Sequence, residues 1–314
     1  MKIIKENLSL KPYLNFLDSD EKALFLDIET TGLNRRFNTI YIIGILEIDS
    51  DEATLTQYFA LKPSQEKNIL DAFYKQLDTD RVLITYNGRF FDIPFIESRA
   101  KKYGIESKLS QMKEFDLLRF IKKQAFLLKS KDNKQKTWER YLGISRKDKY
   151  TGGELIKVYN DYTKVPDLLK ERDLLLHNRE DLINLSRLTE IVKRINTMNT
   201  IKKSQYDFLI NTIELNKDTI IIEGNTNKAD FISYDKGLSF EIENGKFLFK
   251  SPTMKDKYDK IRSCNFLNLD DEFANATNQS EYHCPDDILL LAINNSLIHE
   301  NCYELLDKYL DRLI

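Results

Sequence analysis

The chain has 314 residues, of which 41% are hydrophobic and 31% are charged, and its formal net charge is −2. This length favours two domains, and the composition is that of a globular protein. The nearly balanced charge excludes a strongly basic protein that coats nucleic acid, so any basic surface must be local.

The sequence carries no sign of export or of a membrane anchor. No apolar run approaches the roughly 18 residues that a membrane helix needs, and the first residues lack the apolar core of a signal peptide. The three cysteines form no paired framework of the kind found in secreted domains. We therefore expect a cytoplasmic protein with no membrane association.

Strand and helix patterns alternate over the first two-thirds of the chain. Alternating or continuous apolar residues predict strands, and apolar residues at helical spacing predict helices. In chain order, the predicted elements are strands over 23–29, 39–49 and 54–62, a helix over 64–77, a strand over 81–85, a helix over 91–103, an extended piece near 114–118 and a long helix over 167–194. Three strands that can form a meander, followed by alternating helices and strands, favour an α/β fold with a mixed sheet flanked by helices.

The sequence changes character after about residue 200. Short β patterns are separated by turn-forming pairs, of which Asn-Gly at 244–245 is a strong hairpin signal. A polar stretch follows, and then an amphipathic helix or helix pair over 286–314. We therefore predict a first domain over residues 1–195 and a small α+β domain over 196–314.

The first predicted strand ends in two acidic residues. Alternate residues of a strand face the same side, so Asp27 and Glu29 project together from an otherwise apolar run. Two like charges this close cost free energy unless a cation lies between them, and hard oxygen ligands select Mg²⁺ or Mn²⁺. The alternative is that both acids are solvated at a strand end that leads into the turn at 30–32.

Two further acids lie on predicted helices. Asp92 follows the Asn-Gly turn at 87–88 and opens a helix, where it can bind an ion or simply cap the helix N-terminus. In the long helix, Asp181 lies on the apolar face, and His177 lies one turn before it on the same side. An unpaired buried carboxylate is very costly, so Asp181 needs a partner, either an ion or His177 in a structural pair. Asp116, in the extended piece, is expected beside the site without binding the ions.

Three segments resemble the motifs of a known enzyme family. DIETTGL at 27–33, YNGRFFDIP at 86–94 and HNREDLINL at 177–185 resemble the three motifs of the DEDD-type 3′→5′ exonucleases of the ribonuclease-H-like superfamily, most closely its YprB-like branch. The segment over 137–162 also resembles that branch, so the resemblance covers about residues 20–192. It implies a ribonuclease-H-like fold for the first domain.

The resemblance also implies a chemistry. Members of this family hydrolyse phosphodiester bonds with two metal ions, Mg²⁺ or Mn²⁺, which bind the attacking and leaving oxygens. Matched residue by residue, the metal ligands are Asp27, Glu29, Asp92 and Asp181, and the residue that orients the attacking water or takes its proton is His177. One departure concerns this histidine. In His-type members the histidine lies five residues before the last aspartate, and in Tyr-type members a tyrosine lies four before it; His177 has the four-residue spacing.

The expected partner is single-stranded DNA or RNA. Lysine is frequent over 122–136, and Lys131 and Lys134 are candidates for phosphate contacts, although a solvated loop has the same composition. Candidates for substrate contacts beside the first two motifs are Thr30, Asn87 and Phe91. An aromatic ring at this place can stack on a base or pack in the core.

Two other functions are compatible with the same fold. The first is a nucleic-acid-binding module that is catalytically weak, and the second is a structure-specific endonuclease. The complete set of four acids argues against the first of these. The cysteines and histidines of the second domain do not have the spacing of a zinc site, and the chain has no glycine-rich nucleotide-binding loop.

Overall fold

The structure is a computed structural model, and the residues that it describes are 1–49, 52–269, 273 and 275–314. The described chain divides into two compact units. The first consists of residues 1–122 with 130–193, and the second of residues 123–129 with 194–314. Among the described residues, no helix is both long enough and apolar enough to cross a membrane.

The first unit combines a mixed sheet with helices. Its strands are β1 (Lys2–Leu8), β2 (Ala23–Thr30), β3 (Ile40–Asp49), β4 (Glu52–Phe59), β5 (Val82–Thr85) and β6 (Glu114–Asp116). The helices up to residue 198 are α1 (Glu66–Gln76), α2 (Asp92–Lys102), α3 (Leu117–Gln124), α4 (Gln135–Tyr141), α5 (Gly152–Lys164), α6 (Leu168–Leu188) and α7 (Glu190–Met198). Short 3₁₀ turns lie at Pro63–Gln65 and Leu109–Gln111.

The strands are ordered β1-β4-β3-β2-β5-β6 across the sheet. The pairs β1–β4, β4–β3 and β3–β2 are antiparallel, whereas the pairs β2–β5 and β5–β6 are parallel. The predicted meander and the mixed α/β sheet are therefore confirmed. β1 was not predicted, because it is a largely exposed edge strand with little apolar contrast along it.

Helices cover both faces of this sheet. Gln57 and Tyr58 are neighbours on β4 and so point to opposite faces. The ring of Tyr58 meets Phe73 of α1 edge-on, and the side chain of Gln57 donates to the carbonyl of Leu175 in α6. Since α1 and α6 pack on opposite faces, β2 and β3 are buried over almost their whole length.

The long helix predicted over 167–194 is interrupted. α6 ends at Leu188, and α7 begins at Glu190. Between them, the hydroxyl of Thr189 donates to the carbonyl of Ser186 at 2.7 Å. A side-chain bond of this kind competes with the regular helix ladder, which accounts for the break.

A buried ion pair joins α1 to α2. Nη2 of Arg99 lies 2.5 Å from Oε2 of Glu66, and both side chains are buried. The other carboxylate oxygen of Glu66 accepts the backbone N–H of Ile40 at 2.8 Å and so reaches the start of β3. Arg99 also donates to the carbonyls of Arg35 and Arg36 at 3.4 Å. The pair thereby holds the loop after β2 against α2.

The second unit is rich in strands and ends in a helix. Its strands are β7 (Thr200–Lys203), β8 (Tyr206–Asn216), β9 (Thr219–Thr226), β10 (Phe231–Asp235), β11 (Leu238–Glu243), β12 (Lys246–Pro252), β13 (Met254–Lys257), β14 (Ser263–Asn268), β15 (Ile288–Ile293) and β16 (Ser296–Leu297), and its terminal helix is α8 (His299–Leu313). The strands form antiparallel sheets in the orders β10-β11-β12-β9-β8-β7 and β13-β14-β15-β16. The predicted α+β character of this region is confirmed.

Turn chemistry explains two hairpins of this unit. Asn244 and Gly245 both have positive φ, at 52° and 74°, as a two-residue hairpin between β11 and β12 requires. Asn294 and Asn295 have φ values of 50° and 62° and turn the chain between β15 and β16. The prediction of a helix over 286–314 was therefore wrong for its first part, whereas α8 (His299–Leu313) confirms it for the rest. A short, fully apolar run suits a buried strand as well as a helix, and the asparagine pair decides for the strand.

Candidate active site

The centre of the candidate site is a row of residues across the first sheet. Asp27 on β2 lies opposite Gly44 on β3, and Gly44 lies opposite Gln57 on β4. Asn178 of α6 lies over this row. Its Nδ2 donates to Oδ2 of Asp27 at 2.7 Å, and its Oδ1 accepts from Nε2 of Gln57 at 2.8 Å. The two bonds fix the amide of Asn178, which in turn holds the carboxylate of Asp27.

The close approach of α6 depends on Gly44. A Cβ atom built on this residue would lie 2.2 Å from Oδ1 of Asn178 and 2.7 Å from Cδ1 of Leu182. Both distances are far below van der Waals contact, so a side chain here would displace the helix. Glycine within a strand marks such a close approach, and here it permits the bond from Asn178 to Asp27.

Asp92 is the first residue of α2. Its Oδ1 accepts the backbone N–H of Ile28 at 3.1 Å. Since Ile28 lies between Asp27 and Glu29 in β2, this bond brings the carboxylate of Asp92 beside the two strand acids. Burial raises the pKa of Asp92 to about 7, although the N–H of Ile28 opposes the rise.

Asp116 fixes the turn that precedes α2. Its carboxylate accepts the backbone N–H groups of Asn87 at 3.0 Å, Arg89 at 3.3 Å and Arg119 at 3.2 Å. A carboxylate that accepts three backbone donors is an anchor for the loop. Asp116 thus supports the position of Asp92 through the backbone.

The third part of the site comes from α6. Nε2 of His177 lies 3.2 Å from Oδ2 of Asp181 and 3.7 Å from Oε1 of Glu29. One ligand-type atom from each of these three residues lies within 4.8 Å of the other two. On the other side of Glu29, the hydroxyl of Tyr41 donates to Oε2 at 3.5 Å.

The acids of this site repel one another. Burial raises the pKa of Asp27 and that of Glu29 well above their ordinary values, and the charge of Asp181 adds to both rises. A cation among these oxygens would favour the charged forms that burial and repulsion disfavour. Carboxylate oxygens are the donors that Mg²⁺ and Mn²⁺ prefer. The donor set therefore fits a divalent metal.

Arg146 lies on the other side of Asp181. Its Nη1 donates to Oδ1 of Asp181, and its Nε and Nη2 donate to the two carboxylate oxygens of Glu139 at 2.5 Å. A bidentate ion pair of this kind holds the guanidinium in one orientation. Oδ1 of Asp181 is thereby engaged, and Oδ2 faces His177.

Asp148 completes the surroundings of His177. Its Oδ2 lies 2.7 Å from Nδ1 of the ring, and its side chain is almost fully buried. The imidazole therefore lies between Asp148 on one side and the pair Glu29 and Asp181 on the other.

The model of the RNase_H superfamily matches residues 24–193 of the chain, which is more than half of its length. The chain belongs to this superfamily. The fold that the three sequence motifs implied is therefore confirmed.

Relatives differ in how much of their length they share with this RNase_H superfamily member. The uncharacterized protein YprB of Bacillus subtilis (strain 168) is 31% identical over 191 residues, which are 59% of this chain and 44% of YprB. The family B DNA polymerase from the hyperthermophilic archaeon Pyrobaculum calidifontis aligns with a TM-score of 0.39 and 16% identity, over 56% of this chain and 25% of that one. NrnC of Brucella melitensis, bound to pGG, aligns with a TM-score of 0.35 and 16% identity, over 57% of this chain and 75% of that one.

The structure brings the four predicted acids and His177 of this superfamily member to one place. The predicted substrate residues lie nearby along the chain, with different surroundings. The hydroxyl of Thr30 donates to the carbonyl of Gly32 and shapes the turn after β2. Asn87, at a φ of 68°, makes the turn before α2.

The two phenylalanines before Asp92 have different environments. The ring of Phe91 packs against Phe95 at 5.6 Å, whereas Phe90 is 72% exposed. Phe90 is thus the more exposed of the two rings, and the half-buried Phe91 stays a predicted substrate contact. Among the lysines, Lys131 and Lys134 are exposed.

Five residues of the site were not singled out from the sequence: Gln57, Glu139, Arg146, Asp148 and Asn178. Asn178 directly follows His177 and belongs to the third motif, so a closer examination of that motif could have found it. Arg146 and Asp148 lie in a charged stretch that has the composition of an exposed loop. The resemblance over 137–162 was the one signal that pointed to this segment.

Proposed function

We propose that this RNase_H superfamily member is a metal-dependent nuclease, an exonuclease that removes nucleotides from the 3′ end of single-stranded DNA or RNA by hydrolysing phosphodiester bonds. One observation carries the proposal: carboxylates from β2, α2 and α6 meet at a single buried place, where they repel one another. Such an arrangement is unfavourable in a protein without a cationic ligand.

The residues that would hold two Mg²⁺ or Mn²⁺ ions are Asp27, Glu29, Asp92 and Asp181. Bound there, the ions would polarise the phosphodiester and lower the pKa of a bound water. His177 lies among these acids, where it can either take the proton of the attacking water or bind an ion.

The rest of the site holds the acids in position before any substrate binds. The amide of Asn178, the backbone N–H of Ile28 and the guanidinium of Arg146 each bond to one of them. Charges that are already oriented need no rearrangement when the reaction begins, and this preorganisation is a major source of catalysis.

A cleft of about 510 Å³ supports a nucleic-acid substrate, and its lining comes from the loop after β2 and from the segment around the start of α2, which adjoin the site residues along the chain. Large apolar side chains that are 72–83% exposed line it, namely Leu33, Phe37 and Phe90. Arg35 and Arg36 line it as well. Exposed rings beside guanidinium groups suit unpaired bases and their phosphates, whereas a duplex keeps its bases stacked away from such a surface. The cleft thus favours a single strand.

The decisive experiment follows the degradation of matched DNA and RNA single strands, labelled at either end, with Mg²⁺ or Mn²⁺. The wild type should shorten strands from the 3′ end and leave a circular single strand intact. Asp27→Asn should reduce the rate by on the order of 10³-fold, the equivalent of about 4 kcal/mol of transition-state stabilisation. Asp80→Asn, which changes an exposed aspartate outside the predicted set of site residues, is the matched control and should keep full activity.

Two results would overturn the proposal. Equal rates for the wild type and Asp27→Asn would show that the acids do not catalyse the reaction. Cleavage of the circle would show an endonuclease on the same fold instead.

A further inference from the structure

The two nitrogens of the His177 ring have different surroundings. The ring is 5% exposed, so water does not compete for either nitrogen to any large extent. Nδ1 lies 2.7 Å from Oδ2 of Asp148, whereas Nε2 lies between Oδ2 of Asp181 at 3.2 Å and Oε1 of Glu29 at 3.7 Å. Nδ1 is thus hydrogen-bonded to Asp148, and Nε2 faces the carboxylates of Asp181 and Glu29.

Asp148 is held as a hydrogen-bond acceptor. Its Oδ1 accepts the backbone N–H of Tyr150 at 2.9 Å, and its Oδ2 accepts from the ammonium of Lys136 at 3.1 Å. The backbone N–H of Tyr150 and the ammonium of Lys136 can only donate, so both oxygens of Asp148 serve as acceptors. The carboxylate is therefore an acceptor towards the ring as well, and Nδ1 carries the proton of this hydrogen bond.

This bond determines the chemistry of the other nitrogen. When Nδ1 of a neutral imidazole carries the hydrogen, Nε2 has a free lone pair. A carboxylate behind a histidine is the arrangement that orients metal-binding histidines and makes them more basic. Nε2 faces two carboxylate oxygens, and a lone pair at this position would require a proton or a cation between it and them.

One of the distances among the three ligand-type atoms also suits a shared ion. Ligand atoms that each lie roughly 2.1 Å from an octahedral ion are about 3 Å from their neighbours. The separation of 3.2 Å between Nε2 of His177 and Oδ2 of Asp181 is close to that value. Arg146 engages the other oxygen of Asp181, so Oδ2 is the one left to bind an ion. A spacing of four residues on a helix places His177 and Asp181 on one face, as a shared ion requires.

We propose that His177 is itself a metal ligand, which binds one of the ions through Nε2 together with Glu29 and Asp181, and that Asp148 positions the ring for this purpose. The proposal rests on the proposed function in so far as it places an ion among the acids. A nitrogen among the ligands changes the metal preference. Imidazole suits transition metals, whereas Mg²⁺ prefers oxygen, so this position should select Mn²⁺ over Mg²⁺.

The test uses the full chain and Mn²⁺ alone, with no nucleic acid. Pulsed electron paramagnetic resonance of the bound Mn²⁺ should show the coupling of a directly bound imidazole nitrogen in the wild type. His177→Gln should lose this coupling. His283→Gln, which removes an exposed histidine of the second unit, is the matched control and should keep it.

A second variant tests the role of Asp148. Asp148→Asn should weaken Mn²⁺ binding by about 10- to 100-fold in calorimetric titration, the usual effect of removing the partner of a metal-binding histidine. Mg²⁺ binding at the remaining acids should change less. A structural role of Asp148 alone would weaken the binding of both ions equally, and that result would contradict the positioning role.

The two proposals fail in different ways. If Mn²⁺ binds to the wild type without nitrogen coupling while single strands are still degraded, His177 is not a ligand and the proposed function survives. If the coupling is present but no strand is degraded, the ligand assignment stands and the proposed function is lost. If the wild type binds no Mn²⁺ at all, both are overturned.

Discussion

Substitution of Gly44 by alanine tests the packing on which the candidate site depends. The new Cβ would lie 2.2 Å from Oδ1 of Asn178 and 2.8 Å from its Cγ. Asn178 cannot rotate away without losing its bonds to Asp27 and Gln57, so α6 itself must move off the sheet. Overpacking of a core costs about 1–3 kcal/mol, and the loss of a side-chain hydrogen bond to a charged group about 1.5–3 kcal/mol. We therefore expect Gly44→Ala to lower the free energy of unfolding of the first unit by roughly 3–5 kcal/mol.

Urea unfolding and calorimetry measure this loss. For a domain of this size each kcal/mol shifts the melting temperature by roughly 2–4 °C, so a decrease of about 10 °C is expected. The urea midpoint should fall while the slope of the transition stays the same. Gly152→Ala is the matched control, because no atom lies within 4 Å of a Cβ at that position. It should leave stability unchanged or raise it by about 0.5 kcal/mol. If the two variants unfold at the same urea concentration, α6 does not pack over Gly44 and the described row across the sheet is wrong.

Three further predictions concern charge and substrate binding. Burial raises the pKa of Asp92 to about 7, so its contribution to the stability of the metal-free protein is present near pH 4 and is lost as the pH rises towards 7. With a chelator present, the difference in unfolding free energy that favours the wild type over Asp92→Asn should therefore shrink over this range. A difference that does not change with pH would refute the assignment. Arg99→Leu leaves the buried carboxylate of Glu66 without its cation and should lower the free energy of unfolding in urea by about 3–5 kcal/mol. Lys67→Ala removes one partner of the exposed pair Lys67–Asp71 and should change it by no more than about 0.5 kcal/mol. Similar losses for the two variants would contradict the burial of the Arg99–Glu66 pair. Phe90→Ala should weaken the binding of single-stranded oligonucleotides by about 1–3 kcal/mol in fluorescence anisotropy with no change in melting temperature, and unchanged affinity would exclude stacking on this ring.

The sequence by itself determined the features that depend on local spacing. Alternation in β2 put Asp27 and Glu29 on the same side of a strand, and helical periodicity put His177 and Asp181 on one face of α6. The Asn-Gly pair at 244–245 specified a hairpin, since both residues tolerate positive φ. Each of these inferences needed no more than a few neighbouring residues. The order of the motifs, through family resemblance, then indicated the ribonuclease-H-like sheet.

Only the tertiary structure decided which distant residues complete the site. Asp148 lies 29 residues from His177 and Arg146 lies 35 residues from Asp181, in a segment whose lysines and aspartates have the composition of a solvated loop. Gly44 has no side chain to signal its role, which arises from the approach of a helix to a strand far away in the chain. Periodicity describes how a residue faces its own element, but the partner across the interface is set by the packing of whole elements. For that reason the acids could be proposed from the sequence, whereas the residues that hold them in place could not.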